Sequence, residues 1–297
     1  MTKVVCNGRL TTRKQLPGLE RAAPALSTFT QLIPRSIRSR LRRPYWWLRN
    51  GARTFVYRFL PQSVKKNWET ALPNEVAFWE QFLAQRGGPF ATEYAERTSQ
   101  NMPIEPLLAA RMVASSSESL AILDVGSGPL PVVGRALPGR SLRVVGVDPL
   151  ADEYSRLLKQ YKVDAPAQLV AGEAERLTDL FVPAEFNAVY SSNAIDHCHN
   201  PMEALRQMLA VCRPEGVVFL RHFENEGAGR AYRELHQWNL CEDEGALILW
   251  NPHHHYNVGK LLATEATLQA HTTQDERGRR IVIAILTKRP MRESPRC

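Results

Sequence analysis

Several features are missing from this 297-residue sequence. No stretch approaches the ~18 consecutive apolar residues that a membrane-spanning helix needs, and no N-terminal apolar run precedes a small-residue cleavage site. The five cysteines are odd in number and widely spaced, without a Cys-x-x-Cys pair, which argues against a disulfide framework or a structural zinc site. The adjacent histidines at 253–255 cannot easily face one ion, so no metal site is expected. We therefore expect a reduced, cytoplasmic protein.

The charge is distributed unevenly along the chain. Residues 1–70 contain 15 Lys or Arg and only two acids, Glu20 and Glu69, whereas the rest contains 23 basic and 28 acidic residues. The net charge of +8 therefore belongs to an N-terminal segment, and the body of the protein is mildly acidic. A basic segment of this kind indicates contact with a polyanion or with an anionic membrane surface.

The N-terminal part of the chain divides into three segments. Residues 1–32 show no sustained periodicity and are predicted to be disordered. Residues 33–70 are predicted to form a basic, aromatic and amphipathic arm, because arginines alternate with Trp, Tyr and Phe between residues 33 and 60. Residues 71–117 are predicted to form a helical cap, with a helix over 74–86 that begins at an Asn74 cap and ends at Gly87-Gly88.

Strand and helix patterns alternate from residue 118 to residue 290. Runs rich in Val, Ile and Leu predict strands at 120–125, 142–147, 167–171, 186–191 and 216–222, with helices at 150–161 and 202–213. Two further strands at 266–272 and 279–287 flank a turn and predict a hairpin, and 246–250 fits an added strand. The sequence therefore predicts an α/β fold: a doubly wound, Rossmann-like, mostly parallel sheet ending in an antiparallel hairpin, with a helical N-terminal extension and an insertion at about 223–258.

A glycine turn follows the first predicted strand. Residues 123–129 read LDVGSGP, so Asp124 stands just before Gly126 and Gly128. Glycines at such a turn let the backbone pass close to a ligand. The third glycine of a dinucleotide fingerprint is replaced by Leu130-Pro131, and no Tyr-x-x-x-Lys pair follows the fourth strand, which disfavours a nicotinamide-dependent oxidoreductase.

Three more predicted strands end in polar residues. The second ends at Asp148, 24 positions after Asp124, where a carboxylate can accept hydrogen bonds from both hydroxyls of a ribose. The third leads into Glu173, and the fourth ends in the segment 190–197, YSSNAIDH. Because the carboxyl ends of parallel strands meet at one edge of a sheet, these residues are expected to line one ligand crevice.

Together the segments LDVGSGP, VVGVDP, AGEAERL, FNAVYSSNAIDH and ALRQMLAVCRPEGVVFL resemble the class I S-adenosylmethionine-dependent methyltransferases of the type 11 branch. The resemblance covers about residues 118–222, and the terminal hairpin fits the reversed last strand of that fold. It implies a methyltransferase with S-adenosylmethionine as its cofactor. The turn at 213–216, Arg-Pro-Glu-Gly, departs from the family's usual Lys-Pro-Gly-Gly, a change that we expect to be structural only.

The resemblance also implies which residues hold the cofactor. Its methionine end would be held by Asp124 and the turn of Gly126, Ser127 and Gly128, with Ser192 and Asn193 beside it. The ribose hydroxyls would bind Asp148. The adenine would lie beside Pro149 and Ala174, with Glu173 at its amino group.

A hydroxyl acceptor needs a base to take its proton, whereas a neutral amine does not. The candidates are Asp196, His197 and His222, and we expect His222 or His197 to be the base; a structural role of His197 at a helix start is the alternative. In the predicted insertion, Glu224, His236 and Trp238 are expected to bind the acceptor, with the indole as a stacking wall. An ordinary capping insertion over the sheet is the alternative there.

The acceptor itself is left open by the sequence. We expect O-methylation of a saccharide, lipid-linked or small-molecule acceptor, with peripheral contact between residues 33–60 and the inner membrane surface. An RNA methyltransferase that uses the basic arm is one alternative, but the acidic body and the lack of an Asn/Asp-Pro-Pro-Tyr-type clamp after the fourth strand make nucleic acid a weaker candidate. The other alternative is a cofactor-binding module without catalytic activity.

Overall fold

The computed structural model describes residues 64–113 and 119–290, with side chains from 70 to 112 and from 119 to 290. The expectations for residues 1–32 and for the arm over 33–60 lie outside these described residues. Within them, no helix has the length and apolar character needed to cross a bilayer.

The described part of the chain contains ten strands and seven α-helices. The strands are β1 (Ser119–Val125), β2 (Ser141–Asp148), β3 (Gln168–Ala171), β4 (Phe186–Ser192), β5 (Cys212–Phe223), β6 (Asn239–Asp243), β7 (Ala246–Trp250), β8 (His255–Asn257), β9 (Ala266–Gln274) and β10 (Arg280–Lys288). The helices are α1 (Val64–Ala84), α2 (Ala91–Thr98), α3 (Pro106–Val113), α4 (Ala151–Gln160), α5 (Pro201–Val211), α6 (Glu226–Gly229) and α7 (Val258–Leu261). Short 3₁₀ helices occupy Gly88–Phe90, Ala174–Asp179 and Ile195–His197.

Seven strands form the central sheet, in the order β3-β2-β1-β4-β5-β10-β9. The first five are parallel to one another, whereas β10 runs antiparallel to both β5 and β9. The predicted α/β fold with a mostly parallel sheet and a terminal antiparallel hairpin is confirmed. The order reverses between β1 and β4, and open α/β sheets bind ligands at that kind of switch point.

Both faces of the sheet are covered, as the near-continuous apolar strands predicted. In β1, Leu123 and Val125 belong to one apolar cluster, which includes Leu205 and Met208 of α5. Their neighbour Ile122 points to the opposite face and packs in a second cluster with residues of α3. The sheet therefore lies between two helical layers, and its carboxyl edge is left to form a site.

The helix predicted at 74–86 begins earlier than the sequence indicated. Helix α1 starts at Val64 and continues through Pro73 and Asn74, so Asn74 is not its N-cap, and the helix crosses the boundary that the sequence placed at residue 70. Proline normally marks a helix start, but here Ala71, before the proline, is itself buried, so packing on this side stabilises the longer helix. The C-terminal end fits the prediction: Gly87 has φ +85° and donates its N–H to Phe82 O at 2.8 Å.

The segment after β5 builds a second, antiparallel sheet from β6, β7 and β8. The strand expected at 246–250 is β7. Between β5 and β6 the chain forms α6 and then an irregular stretch in which Ala231, Tyr232 and Glu234 all have positive φ. Three such residues in four positions make this stretch a strained segment of backbone.

The turn that differs from the family pattern is also strained. Between Phe186 and Ala188 the pairing with β5 shifts from Cys212 to Val217, so residues 213–216 bulge out of the ladder. Exposed Glu215 has φ +62°, a conformation that glycine adopts without a Cβ penalty.

We expect Glu215→Gly to raise the free energy of unfolding by about 0.5–1 kcal/mol, because it removes the left-handed strain of a Cβ-bearing residue. Gly216→Ala is the matched variant and should destabilise, since a Cβ at 216 would lie 2.8 Å from Asn187 O. Urea denaturation measures both changes. A Glu215→Gly variant no more stable than the wild type would contradict the strain argument.

Candidate functional site

A cleft of about 460 Å³ opens at the carboxyl edge of the central sheet. The ends of β1, β2, β3 and β4 contribute to its wall, as the sequence predicted for parallel strands. The residues singled out from the sequence that line it are Gly126, Ser127, Gly128, Asp148, Pro149, Glu173, Ala174, Ser192, Asn193, Asp196, His197 and His236. Asp124, His222, Glu224 and Trp238 are not among the lining residues.

The glycine turn after β1 is required by close packing. Gly126 has φ +69°, and a Cβ there would lie 2.2 Å from the Cβ of Ala194 at the end of β4. Gly128 has φ +61°, and a Cβ there would lie 2.7 Å from the ring of Trp79 in α1. The absence of side chains thus lets the turn meet β4 on one side and α1 on the other.

Asp148 closes the turn at the tip of β2. Its Oδ2 accepts from Gly128 N at 3.1 Å and its Oδ1 accepts from Leu150 N at 3.0 Å. Burial raises the pKa of Asp148 to about 6, while these two backbone donors act in the opposite direction. Each oxygen keeps a further lone pair, so the carboxylate can still accept two hydroxyl groups from a ligand in the cleft.

Asp124 holds the loop that follows the turn. Its Oδ2 accepts from Val132 N at 3.0 Å and from Val133 N at 3.3 Å. Its Oδ1 is buried and has no hydrogen-bond partner within the described structure. Burial raises the pKa of this carboxyl to about 7. The structure therefore gives Asp124 a role in shaping the turn, and it leaves one acceptor oxygen unsatisfied.

Helix α1 supplies a wall that the sequence did not point to. Phe78 and Trp79 both line the cleft, and Trp79 Nε1 donates to Glu75 Oε1 at 2.8 Å. The guanidinium of Arg97 lies 5.3 Å from the centre of the Trp79 ring and donates to Leu130 O at 2.8 Å. The amphipathic pattern of this helix was visible in the sequence, but nothing in it distinguishes a ligand-facing aromatic residue from a core residue.

A cluster of one carboxylate and two imidazoles lies on another part of the cleft wall. His236 Nδ1 is 2.8 Å from Asp196 Oδ2, and His197 Nε2 is 3.1 Å from His236 Nδ1. The third separation, between His197 Nε2 and Asp196 Oδ2, is 3.7 Å. We call these three residues the Asp-His-His cluster. His236 comes from the insertion, 40 positions after Asp196, so only the fold brings it here.

The electrostatics of the cluster favour an ionised carboxylate. Burial raises the pKa of Asp196, but the facing His197, His236 and His222 outweigh it, so the pKa lies below its ordinary value. Burial lowers the pKa of His236, but its hydrogen bond to Asp196 outweighs that effect and the pKa is raised. The carboxylate and the imidazole thus stabilise each other's charged forms.

The structure does not bring His222 to the cleft. Its side chain is 2% exposed, and its Nδ1 lies 3.8 Å from Asp196 Oδ1, beyond hydrogen-bond distance. Burial lowers its pKa to about 4. The geometry therefore disfavours the predicted role of His222 as a base, because a proton acceptor must reach the acceptor molecule.

Two residues expected to bind the acceptor are occupied elsewhere. The side chain of Glu224 is 4% exposed and forms a two-point ion pair with Arg280, whose Nη2 donates to Oε1 at 2.9 Å. Trp238 is buried, stacks on Tyr256 at 6.1 Å between ring centres and belongs to the main core cluster. Four other residues of the insertion line the cleft instead: Glu226, Arg230, Glu234 and Leu235. The sequence could not predict this, because an irregular loop has no regular periodicity that assigns side chains to one face.

The strand order and the polar strand ends around this cleft define a class I S-adenosylmethionine-dependent methyltransferase domain. Residues 123–220 match the family described as a methyltransferase domain, type 11. This part of the chain belongs to that family, and its cofactor is S-adenosylmethionine. The expected recognition and cofactor are thereby confirmed.

Similarity to individual proteins is more distant. A tRNA U34 carboxymethyltransferase of Pseudoalteromonas atlantica is 25% identical over 184 residues, which span 59% of this chain and 56% of that protein. The chain thus matches little more than half the length of this curated relative. Among solved structures, a 1,6-didemethyltoxoflavin N1-methyltransferase of Burkholderia thailandensis has 17% identity and a TM-score of 0.46, covering 77% of this chain and 92% of the other. The N-methyltransferase NodS of Bradyrhizobium japonicum has 12% identity and a TM-score of 0.41, covering 61% and 83%.

The raised pKa of Asp124 predicts a pH-dependent stability for the protein without cofactor. Its carboxyl has a pKa of about 7 in the folded chain against 3.8 ordinarily, so its stabilising effect is complete below about pH 4 and is lost as the pH rises to 7. Three pKa units correspond to at most about 4 kcal/mol. Asp124→Asn keeps an oxygen for Val132 and Val133 and should remove this loss.

Urea denaturation at pH 5 and pH 8 measures the effect. The difference in unfolding free energy between the two pH values should shrink in Asp124→Asn. The exposed acid Glu276, in the turn between β9 and β10, provides the control Glu276→Gln, which should keep the wild-type difference. Identical pH profiles for wild type and Asp124→Asn would contradict the argument.

Proposed function

We propose that this domain transfers the methyl group of S-adenosylmethionine to a hydroxyl group of a small-molecule, saccharide or lipid-linked acceptor. One observation carries the proposal: a single cleft is lined both by the predicted cofactor residues of the strand ends and by the polar Asp-His-His cluster. A sulfonium methyl group transfers in line, so positioning of the two reactants in one cleft supplies most of the catalysis.

The residues present fit the cofactor. Asp148 would accept the ribose hydroxyls on the lone pairs that its backbone bonds leave free. Glu173 would accept from the adenine amino group, with Pro149 and Ala174 against the ring. The turn at 126–128, with Ser192 and Asn193, would hold the methionine end. Asp124 does not line the cleft, so it would act on the cofactor only through the turn that it shapes.

S-adenosylmethionine supplies an electrophilic methyl group when it is bound. The acceptor hydroxyl must lose its proton as its oxygen attacks, and the Asp-His-His cluster is the group of ionisable side chains in the cleft wall to which we assign the promotion of that loss. Of the two histidines predicted as bases, His197 belongs to this cluster and His222 does not. We therefore assign the activation of the acceptor to the cluster as a unit.

The charge of the cleft favours an acceptor that is not a polyanion. Eight carboxylates line the cleft against two arginines, Arg97 and Arg230. The carboxylates are Glu75, Glu93, Asp148, Glu173, Glu175, Asp196, Glu226 and Glu234. The curated relative acts on tRNA by its name, so RNA is the second candidate. A phosphate backbone would meet like charge at this rim and would need the basic segment for its affinity.

Contact of residues 33–60 with an anionic membrane stays a prediction from the sequence alone. It would suit a lipid-linked acceptor, because the same arm that binds the surface would bring the cleft to it. A cofactor-binding module without catalytic activity is a further alternative. A turnover measurement distinguishes it from a methyltransferase that acts on any of these acceptors.

We expect Asp148→Ala to weaken binding of S-adenosylmethionine by about 1–3 kcal/mol, because it removes the acceptor of two ribose hydroxyls. Calorimetry of the full chain measures this change. Asp148 also holds Gly128 and Leu150, so Asp148→Asn, which keeps one oxygen, is the milder variant and should lose less affinity. Glu276→Gln serves as the distant control. Unchanged affinity in Asp148→Ala would remove this residue from the site, and tight binding of NADH would overturn the assignment of the cofactor.

The acceptor class is tested with labelled S-adenosylmethionine and three fractions of a cell extract: water-soluble small molecules and saccharides, lipids, and RNA. We expect label in one of the first two, and His197→Ala or His236→Ala should lower that turnover by roughly 10²-fold without changing cofactor affinity. Label in RNA alone would favour the second candidate. Cofactor binding with no labelled product in any fraction would favour the non-catalytic module.

A further inference from the structure

The Asp-His-His cluster has the geometry of a metal site. Its three potential ligand atoms are Asp196 Oδ2, His197 Nε2 and His236 Nδ1, separated by 2.8, 3.1 and 3.7 Å. A tetrahedral zinc ion with bonds of about 2.0–2.1 Å places its ligand atoms about 3.3 Å apart. The three observed separations lie on both sides of that value, so one ion could contact all three atoms after small side-chain adjustments.

Protons alone satisfy this arrangement poorly. Each imidazole nitrogen carries either one proton or one lone pair. If His236 Nδ1 is protonated, it can donate a hydrogen bond to Asp196 Oδ2 at 2.8 Å. His197 Nε2, at 3.1 Å from the same nitrogen, then has to accept from the same N–H group. A proton on His197 Nε2 instead would leave the lone pair of His236 Nδ1 against the carboxylate. A cation between the three atoms uses every lone pair at once.

We propose that Asp196, His197 and His236 bind one divalent transition-metal ion of the zinc type in the wall of the cleft. The inference rests on the proposed function, because it says how the cluster activates the acceptor. Two imidazoles and one carboxylate form a ligand set that such ions accept. The sequence analysis expected no metal site, because two of these ligands are adjacent along the chain and the third lies on an insertion.

The placement of the cluster suits a catalytic ion better than a structural one. Three protein ligands leave at least one coordination position free, and all three residues line the cleft, so that position faces the acceptor space. A hydroxyl oxygen bound there releases its proton to solvent more readily. The oxygen's electron pair would then form the new O–CH₃ bond while the S–CH₃ bond breaks, and the electron pair of the broken bond would stay on the sulfur, which leaves as a neutral thioether.

Backbone contacts hold the three ligands in place. Asp196 and His197 lie on the short 3₁₀ helix after β4, where His197 N donates to Ala194 O at 3.0 Å. Gln237 N donates to Asp196 O at 3.1 Å, which ties the neighbour of His236 to the same helix. The insertion is thus fixed to the strand end by main chain, so the geometry of the cluster does not depend on long flexible side chains alone.

Two other groups of residues must be separated from this site in any test. Glu173, Glu175 and His199 also lie close together, but Glu175 Oε1 already accepts from Asn200 N at 2.9 Å and faces His199 Nδ1 at 3.1 Å. The exposed histidines at 253–255 can bind metal ions adventitiously. The experiment therefore needs a variant of each group.

The test uses Co²⁺ as a spectroscopic probe on the full chain, purified without a polyhistidine tag and stripped with a chelator. We expect one Co²⁺ per chain with visible ligand-field bands of a four- or five-coordinate site, displaced by Zn²⁺. His236→Gln and His197→Gln should each weaken binding by about 100-fold or more and abolish these bands. The double variant His253→Gln/His255→Gln and the single variant His199→Gln should bind as the wild type does.

Thermal unfolding of each stripped variant shows whether it folds, and addition of Zn²⁺ should raise the melting temperature of the wild type but not of His236→Gln. Bands that persist in His236→Gln, or that vanish in His253→Gln/His255→Gln or His199→Gln, would overturn the site. A stripped wild type that binds no Co²⁺ would also overturn it. Calorimetry with S-adenosylmethionine on the stripped chain distinguishes failure of the metal site from failure of the proposed function. Cofactor binding without metal binding would contradict the metal site only.

Discussion

The burial of β1 on both of its faces is the constraint on which the rest of the structure depends. Leu123 and Val125 enter one apolar cluster and Ile122 enters the other, so the strand has no face for solvent. Both of its edges are paired as well, with β2 and with β4. Because both faces and both edges of β1 are covered, the chain can leave the strand only at its carboxyl end, after Val125. Gly126 makes that exit possible by meeting Ala194 where no Cβ would fit.

The acceptor side of the cleft depends on contacts of another kind. Asn193, with φ +51°, donates its N–H to Arg221 O and accepts from Phe223 N at 2.9 Å, which joins the tip of β4 to the end of β5. The buried amide of Gln237 donates to Tyr232 O at 3.1 Å and to Glu234 O at 2.6 Å, and thereby holds the strained segment in place. Strained backbone near a ligand site persists only where contacts with neighbouring residues hold it in place, and the hydrogen bonds of Gln237 are contacts of this kind.

The central sheet and the cofactor side were predictable because their signals are local. Each parallel strand of the sheet contains a short apolar run, and the residues expected to hold the cofactor follow these runs. Spacing along the chain therefore predicts both the parallel sheet and the place of Asp148 or Glu173 in the cleft wall. The start of α1 was not predictable in this way, because packing of Ala71 overrides the proline signal.

The acceptor side was only partly predictable, because its residues meet through tertiary contacts. Asp196 and His197 follow the end of β4, so their place in the cleft wall was predictable from their position in the sequence. His222 also lies near a strand end, but its position in the sequence alone does not show which face of the sheet its side chain lies on. In the structure the side chain of His222 is buried in the interior. His236 was singled out for its polarity, and the fold gives it a partner that no spacing rule could supply.

The division between the two sides has a consequence for specificity. The cofactor side is built from the ends of strands whose pairing fixes them, so it tolerates little change. The other side of the cleft is built from the strained segment after α6 and the 3₁₀ helix after β4, which are joined by hydrogen bonds from Gln237 N to Asp196 O and between His236 and Asp196. An acceptor with neutral hydroxyl groups can replace the water around the carboxylates of the cleft with hydrogen bonds, whereas a phosphate would keep the repulsion and lose its hydration. Under the proposed function, the ends of the paired strands would therefore hold the methyl donor, and the carboxylates of the rim would select what receives the methyl group.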